Sequence, residues 1–122
     1  MNISVNYSLN EILKLEIIKI RDEIRMQLKN TEIYLFGSVA KGCYSEKSDI
    51  DLLVLINSSK SPKELRMLRH EIEDNLEKLK IERTVDIKLY NKDRYEELCK
   101  NPSFEKAILE DLIDIGGWES GK

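Results

Sequence analysis

Residues 49–56 read Asp-Ile-Asp-Leu-Leu-Val-Leu-Ile, and no other stretch of the chain limits the fold as much. Side chains alternate across a strand, so Ile50, Leu52, Val54 and Ile56 share one face while Asp49, Asp51, Leu53 and Leu55 share the other. Both faces are apolar by the end of the segment. A strand of that kind is a central one, and its two aspartates stand at its entrance, where water or ions still reach.

The flanking sequence alternates helix and strand. Ser8 with Glu11 is a capping-box pattern, and Leu9, Leu13, Ile17, Ile20, Ile24 and Leu28 follow at helical spacing, which predicts a helix over 9–29. Residues 33–36 form a short apolar run ended by Gly37, the length of a buried strand. Ser61, Pro62 and Glu64 mark the start of a second long helix with Leu65, Leu68, Ile72, Leu76 and Leu79 as its stripe. Residues 84–90 alternate as a strand, with Val85, Ile87 and Leu89 opposite Asp86, Lys88 and Tyr90. Two closing helices are expected over 93–100 and 102–115, the latter carrying Phe104, Ile108, Leu112 and Ile115 and stopping at Gly116-Gly117. The sum is a two-layer α/β domain with a small mixed sheet flanked by helices. With 122 residues, no internal repeat and no linker, a single domain over 1–122 is expected.

Composition narrows the function. The chain has 20 basic and 23 acidic residues and a net charge of −3, whereas proteins that track nucleic-acid backbones carry a basic excess. Duplex nucleic acid is therefore an unsuitable partner, and phosphate chemistry must use a few placed cations or metals. No apolar run approaches the roughly 20 residues of a membrane span, so a cytoplasmic protein without membrane contact is expected. Cys43 and Cys99 lack metal-ligand spacing and are expected to be reduced.

The chemistry is concentrated in residues 37–51, where Gly37-Ser38 at a strand end is followed after ten residues by Asp49-Ile50-Asp51. Asp49 and Asp51 are two apart on a strand and so can aim both carboxylates at one point, where they repel unless a cation lies between them. Mg²⁺ suits such a pair, since it prefers oxygen ligands and leaves positions for water and substrate phosphates. Asp86, facing outward on a neighbouring strand, supplies a third carboxylate and with it room for a second ion. Gly37 lets a backbone N–H approach a phosphate, Ser38 adds a hydroxyl donor, and Lys41 is a candidate point charge for a triphosphate.

This arrangement resembles the nucleotidyltransferase superfamily that includes DNA polymerase beta, whose pattern is Gly-Ser, ten residues, Asp-x-Asp and a third Asp on a later strand. The length is similar to that of the minimal nucleotidyltransferases. The resemblance implies that Asp49 and Asp51 bind both of two Mg²⁺ ions, that Asp86 binds the catalytic ion and helps activate the nucleophile, and that Gly37 and Ser38 hold the terminal phosphates of a nucleoside triphosphate, ATP being expected. Minimal members commonly act as antitoxins that bind and adenylylate a HEPN-type helical toxin, so the resemblance also implies a protein acceptor. A non-catalytic antitoxin that acts by binding alone is one alternative, and a small-molecule nucleotidyltransferase of the aminoglycoside-modifying kind is another.

Other residues have plainer readings. Lys41 is either a phosphate contact or an exposed loop lysine. Lys88 shares the face of Asp86 and is either half of a surface ion pair or a phosphate contact, and Tyr44 is either a loop aromatic packed on its own turn or a ring for a base to stack on. His70, the only histidine, lies in a highly charged helix and is expected to be solvated. Leu15, Ile18 and Met26 widen the first helix's apolar surface, for a broader core contact or for an interface with another copy or another protein.

Overall fold

The computed structural model describes residues 11–119. Helix α1 (Glu11–Gln27) leads into strand β1 (Thr31–Phe36), the short helix α2 (Gly37–Lys41) and strand β2 (Ile50–Ile56). Helix α3 (Pro62–Glu77), strand β3 (Val85–Asn91) and helix α4 (Lys92–Leu98) follow. The chain closes with α5 (Phe104–Ala107), a 3-10 turn (Ile108–Asp111) and strand β4 (Ile113–Asp114). The strands form one mixed sheet in the order β3-β2-β1-β4, with β2 parallel to β3 and β1 antiparallel to both of its neighbours.

Strand β2 is central, as its two apolar faces require. Ile50, Leu52 and Val54 join Ile33, Leu35 and Ile87 in the main core beneath α1 and α3, which contribute Leu13, Ile17, Ile20, Ile24, Ile72 and Leu76. Leu53 and Leu55 point to the opposite face, where Phe36, Tyr95 and Ile108 complete a second, smaller core. Short helices therefore cover part of the second face. The three-residue row of Phe36, Asp51 and Asp86 lies on that same face at one end of the sheet, by strand alternation.

Local signals explain most of these elements. Ser61 accepts from Glu64 N at 3.2 Å while the Glu64 side chain accepts from Ser61 N at 2.9 Å, so the start of α3 is a complete capping box with Pro62 in the first turn. The Ser8 pattern proposed for α1 lies outside the described residues. Gly42 ends α2 in the left-handed region, with φ +80°, and donates its N–H to Val39 O.

The last expected helix, over 102–115, is not formed as such. After α5 and the 3-10 turn the chain becomes β4, pairing Ile113 with Leu35 and Asp114 with Tyr34, and Ile115 N donates to Ile33 O at 3.1 Å. The edge of β1 takes up backbone groups that a helix would have paired internally. Ile108 and Ile115, assigned to one helical stripe from spacing, are buried in different cores on opposite faces of the sheet.

α1 secures the closing segment. Arg21, 1% exposed, donates to the carbonyls of Ile115 and Trp118 and is paired with Asp22, while Arg25 donates to Gly116 O at 2.6 Å. Ile18 is buried, whereas Leu15 and Met26 remain exposed.

Candidate active site

The parallel register of β2 and β3 sets Asp51 directly beside Asp86, and parallel partners share a face about 4.8 Å apart. Asp49 immediately precedes β2, two residues before Asp51, and the neighbouring Ile50 N donates to Thr84 O at 2.9 Å. Like charges so close to one another raise the energy of ionisation. The Asp51 carboxyl is pushed above its ordinary range, first by burial, then by the charges of Asp86 and Asp49, while Lys88 opposes the shift.

On the other flank, Gly37 starts α2 with φ +80°, a backbone that side chains rarely adopt. A Cβ there would also collide with the Asp51 carboxylate, lying 3.1 Å from its Cγ. Glycine is thus required twice over, by conformation and by space. Phe36 precedes α2 and offers its first turn no side-chain cap. Ser38 lies in that first turn and is half-buried.

The three carboxylates are an all-oxygen donor set, the chemistry Mg²⁺ prefers. Their side chains are not closed into a ligand cluster: among the described residues no group of three His, Cys, Asp or Glu is drawn together tightly enough to hold an ion. Asp86 instead pairs with Lys88, Nζ to Oδ2 at 3.6 Å. The donor chemistry fits a divalent ion, and the Lys88 contact engages only one of the two Asp86 oxygens.

Lys41 is placed differently from the other candidates. It ends α2, at the opposite end from Gly37, and its ammonium is 3.5 Å from Asp111 in the 3-10 turn. Tyr44 packs beside the main core with the Arg83 guanidinium 5.5 Å from its ring centre, and His70 is exposed beside Glu73. A cavity of about 410 Å³ has Glu73, Glu77, Glu82, Arg83, Thr84 and Val85 in its wall and none of Asp49, Asp51 and Asp86.

Two neighbours of the acids were not identified from sequence. Arg83, two residues before β3, donates to Ser45 O and Ser48 O, both at 2.8 Å, and so fixes the loop between α2 and Asp49. Phe104, assigned to a core stripe by spacing, stands 47% exposed with its ring 6.0 Å from that of Phe36. No local pattern marks either one. Their partners are distant in sequence.

A family model described as nucleotidyltransferase domain matches residues 17–115, a span that contains the Gly-Ser turn and all three aspartates. The chain belongs to the nucleotidyltransferase-domain family. It is also similar to a protein of Methanocaldococcus jannaschii named "Putative protein adenylyltransferase", with 33% identity over 81 residues, covering 66% of this chain and 74% of the relative. Among the described residues, no helix of this nucleotidyltransferase-family chain is long and apolar enough to cross a membrane.

Proposed function

We propose that this chain transfers AMP from ATP to a hydroxyl of a partner protein, acting as the antitoxin that adenylylates a HEPN-type helical toxin. The observation that carries the reading is the pairing of Asp51 with Asp86 in adjacent strands, with Gly37 packed so closely against Asp51 that no side chain fits. The name of the Methanocaldococcus relative supports a protein acceptor.

In this reading Asp49, Asp51 and Asp86 would hold two Mg²⁺ ions. When bound, such ions offset charge on the attacking and leaving oxygens of an in-line displacement. The chain's own residues orient the reactants. Gly37 and Ser38 would present backbone N–H and hydroxyl donors to the terminal phosphates, and Asp86, beside Asp51, would take the proton of the acceptor hydroxyl. The acceptor oxygen bonds to the α-phosphorus, the bond from that phosphorus to the bridging oxygen of the β-phosphate breaks, and pyrophosphate leaves.

Intact-mass spectrometry of a helical partner encoded beside this chain, after co-expression, tests the proposal. The partner should gain about 329 Da per AMP transferred with the wild type and nothing with Asp51→Asn, which removes a carboxylate that would hold the ions. A partner neutralised without any gain in mass would replace the enzymatic reading with binding alone.

A further inference from the structure

Phe104 opens a helix of four residues whose backbone is held from several directions. The Ser103 hydroxyl accepts from Lys106 N at 3.1 Å and donates to Leu98 O at 2.9 Å. Tyr95 donates its hydroxyl to Glu105 O at 2.8 Å, and Tyr90 donates to the Glu105 carboxylate at 2.6 Å. These bonds fix the place from which the Phe104 side chain projects.

That place is the rim of the carboxylate site. The Phe104 ring meets Phe36 edge-on at 75°, and Phe36 is the register partner of Asp51. Lys88 Nζ is 5.9 Å from the Phe104 ring centre and 3.6 Å from Asp86 Oδ2, so a single ammonium group separates the ring from the acid. Among the described residues the other rings left half-buried or exposed have partners of their own: Tyr34 donates to Glu32, Tyr90 to Glu105, Tyr44 lies under Arg83 and Trp118 lies under Lys14 of α1.

An exposed ring is ordinary on a protein surface. What distinguishes Phe104 is the conjunction of an immobilised backbone, a ring left half open and acids one lysine head group away. A nucleoside triphosphate held by its phosphates at those acids carries a flat aromatic base several ångströms from them. Stacking such a base on an aromatic side chain is favourable for every base, because each has a π face.

We propose that Phe104 is the platform on which the nucleotide's base stacks, an inference that rests on the nucleotide reading of the carboxylate site. Stacking without hydrogen-bond readout supplies affinity and little discrimination, so the platform accepts ATP and GTP alike.

Calorimetric titration of the full chain with Mg-ATP and with Mg-tripolyphosphate, which lacks the base, tests this directly. Phe104→Ala should weaken Mg-ATP binding about tenfold and leave Mg-tripolyphosphate within about twofold of wild type. Phe104→Trp should bind Mg-ATP at least as tightly as wild type. Phe104→Leu, which keeps apolar bulk against Phe36 and so guards against loss of folding, should show most of the loss seen with alanine. Unchanged Mg-ATP binding in the alanine and leucine variants, or equal loss of both ligands, would overturn the platform while leaving the nucleotide site standing. A wild type that bound neither ligand, with Asp51→Asn indistinguishable from it, would remove the nucleotide site and the platform together.

Discussion

Asp51 is the residue on which structure and chemistry meet. Its carboxyl is raised by burial and by Asp86 and Asp49, so the folded state holds that proton more tightly than the unfolded chain does. In the window between the ordinary carboxylate value and the raised one, the native state binds more protons, and stability falls as pH rises. Above that window the ionised group is a standing cost. Asp51→Asn should therefore raise the melting temperature at pH 7 without metal, with the advantage shrinking as pH falls through the window, and a melting temperature lowered at every pH would show that Asp51 is not strained by its neighbours. Gly37 makes the complementary case. Gly37→Ala must adopt φ +80° and displace the Asp51 carboxylate, so denaturant titration should show a loss of about 1–3 kcal/mol together with loss of transfer. Ser38→Ala removes only a hydroxyl proposed to meet phosphate. It should weaken nucleotide use and leave partner binding unchanged, as compared by titration with each.

At the scale of elements, the closing segment shows where local pattern yields to tertiary pairing. Ile115 is fully buried in the main core, and the neighbouring β4 closes the open edge of β1. Ile115→Ala should cost about 2–5 kcal/mol in urea unfolding, whereas a continuous helix with Ile115 at its frayed end would lose far less. The alternation in residues 49–56 and 84–90 placed Asp51 and Asp86 on outward faces because a period of two depends only on neighbouring residues. The Ser61 box defined the start of α3 for the same reason. Register is a different matter: that Asp51 stands beside Asp86 depends on how two distant strands align, which no local pattern encodes. The splitting of Ile108 and Ile115 between two cores likewise depends on the unpaired edge of β1. The Arg83 bonds to the loop before Asp49 and the place of Phe104 beside Phe36 depend in the same way on partners remote in the chain.

Across the whole molecule, the sheet divides the labour between its two faces. One face carries the main core beneath α1 and α3, with a buried Arg21 tying the end of the chain to α1. The other is covered only in part, by short helices over Leu53 and Leu55, which leaves the row of Asp51 and Asp86 accessible at one end. A ligand that engages that row binds only the folded chain, because Asp51 and Asp86 stand side by side only when β2 and β3 are paired. Binding must then stabilise the entire fold, by about 2.7 kcal/mol for a ligand present at a hundredfold excess over its Kd. Thermal unfolding with saturating Mg-ATP, on the wild type and on Asp51→Asn, measures this without any partner protein. The wild type should melt several degrees higher with Mg-ATP than without it, and Asp51→Asn should show no such rise. An unchanged wild-type melting temperature, or an equal rise in both proteins, would contradict a nucleotide site built on these carboxylates.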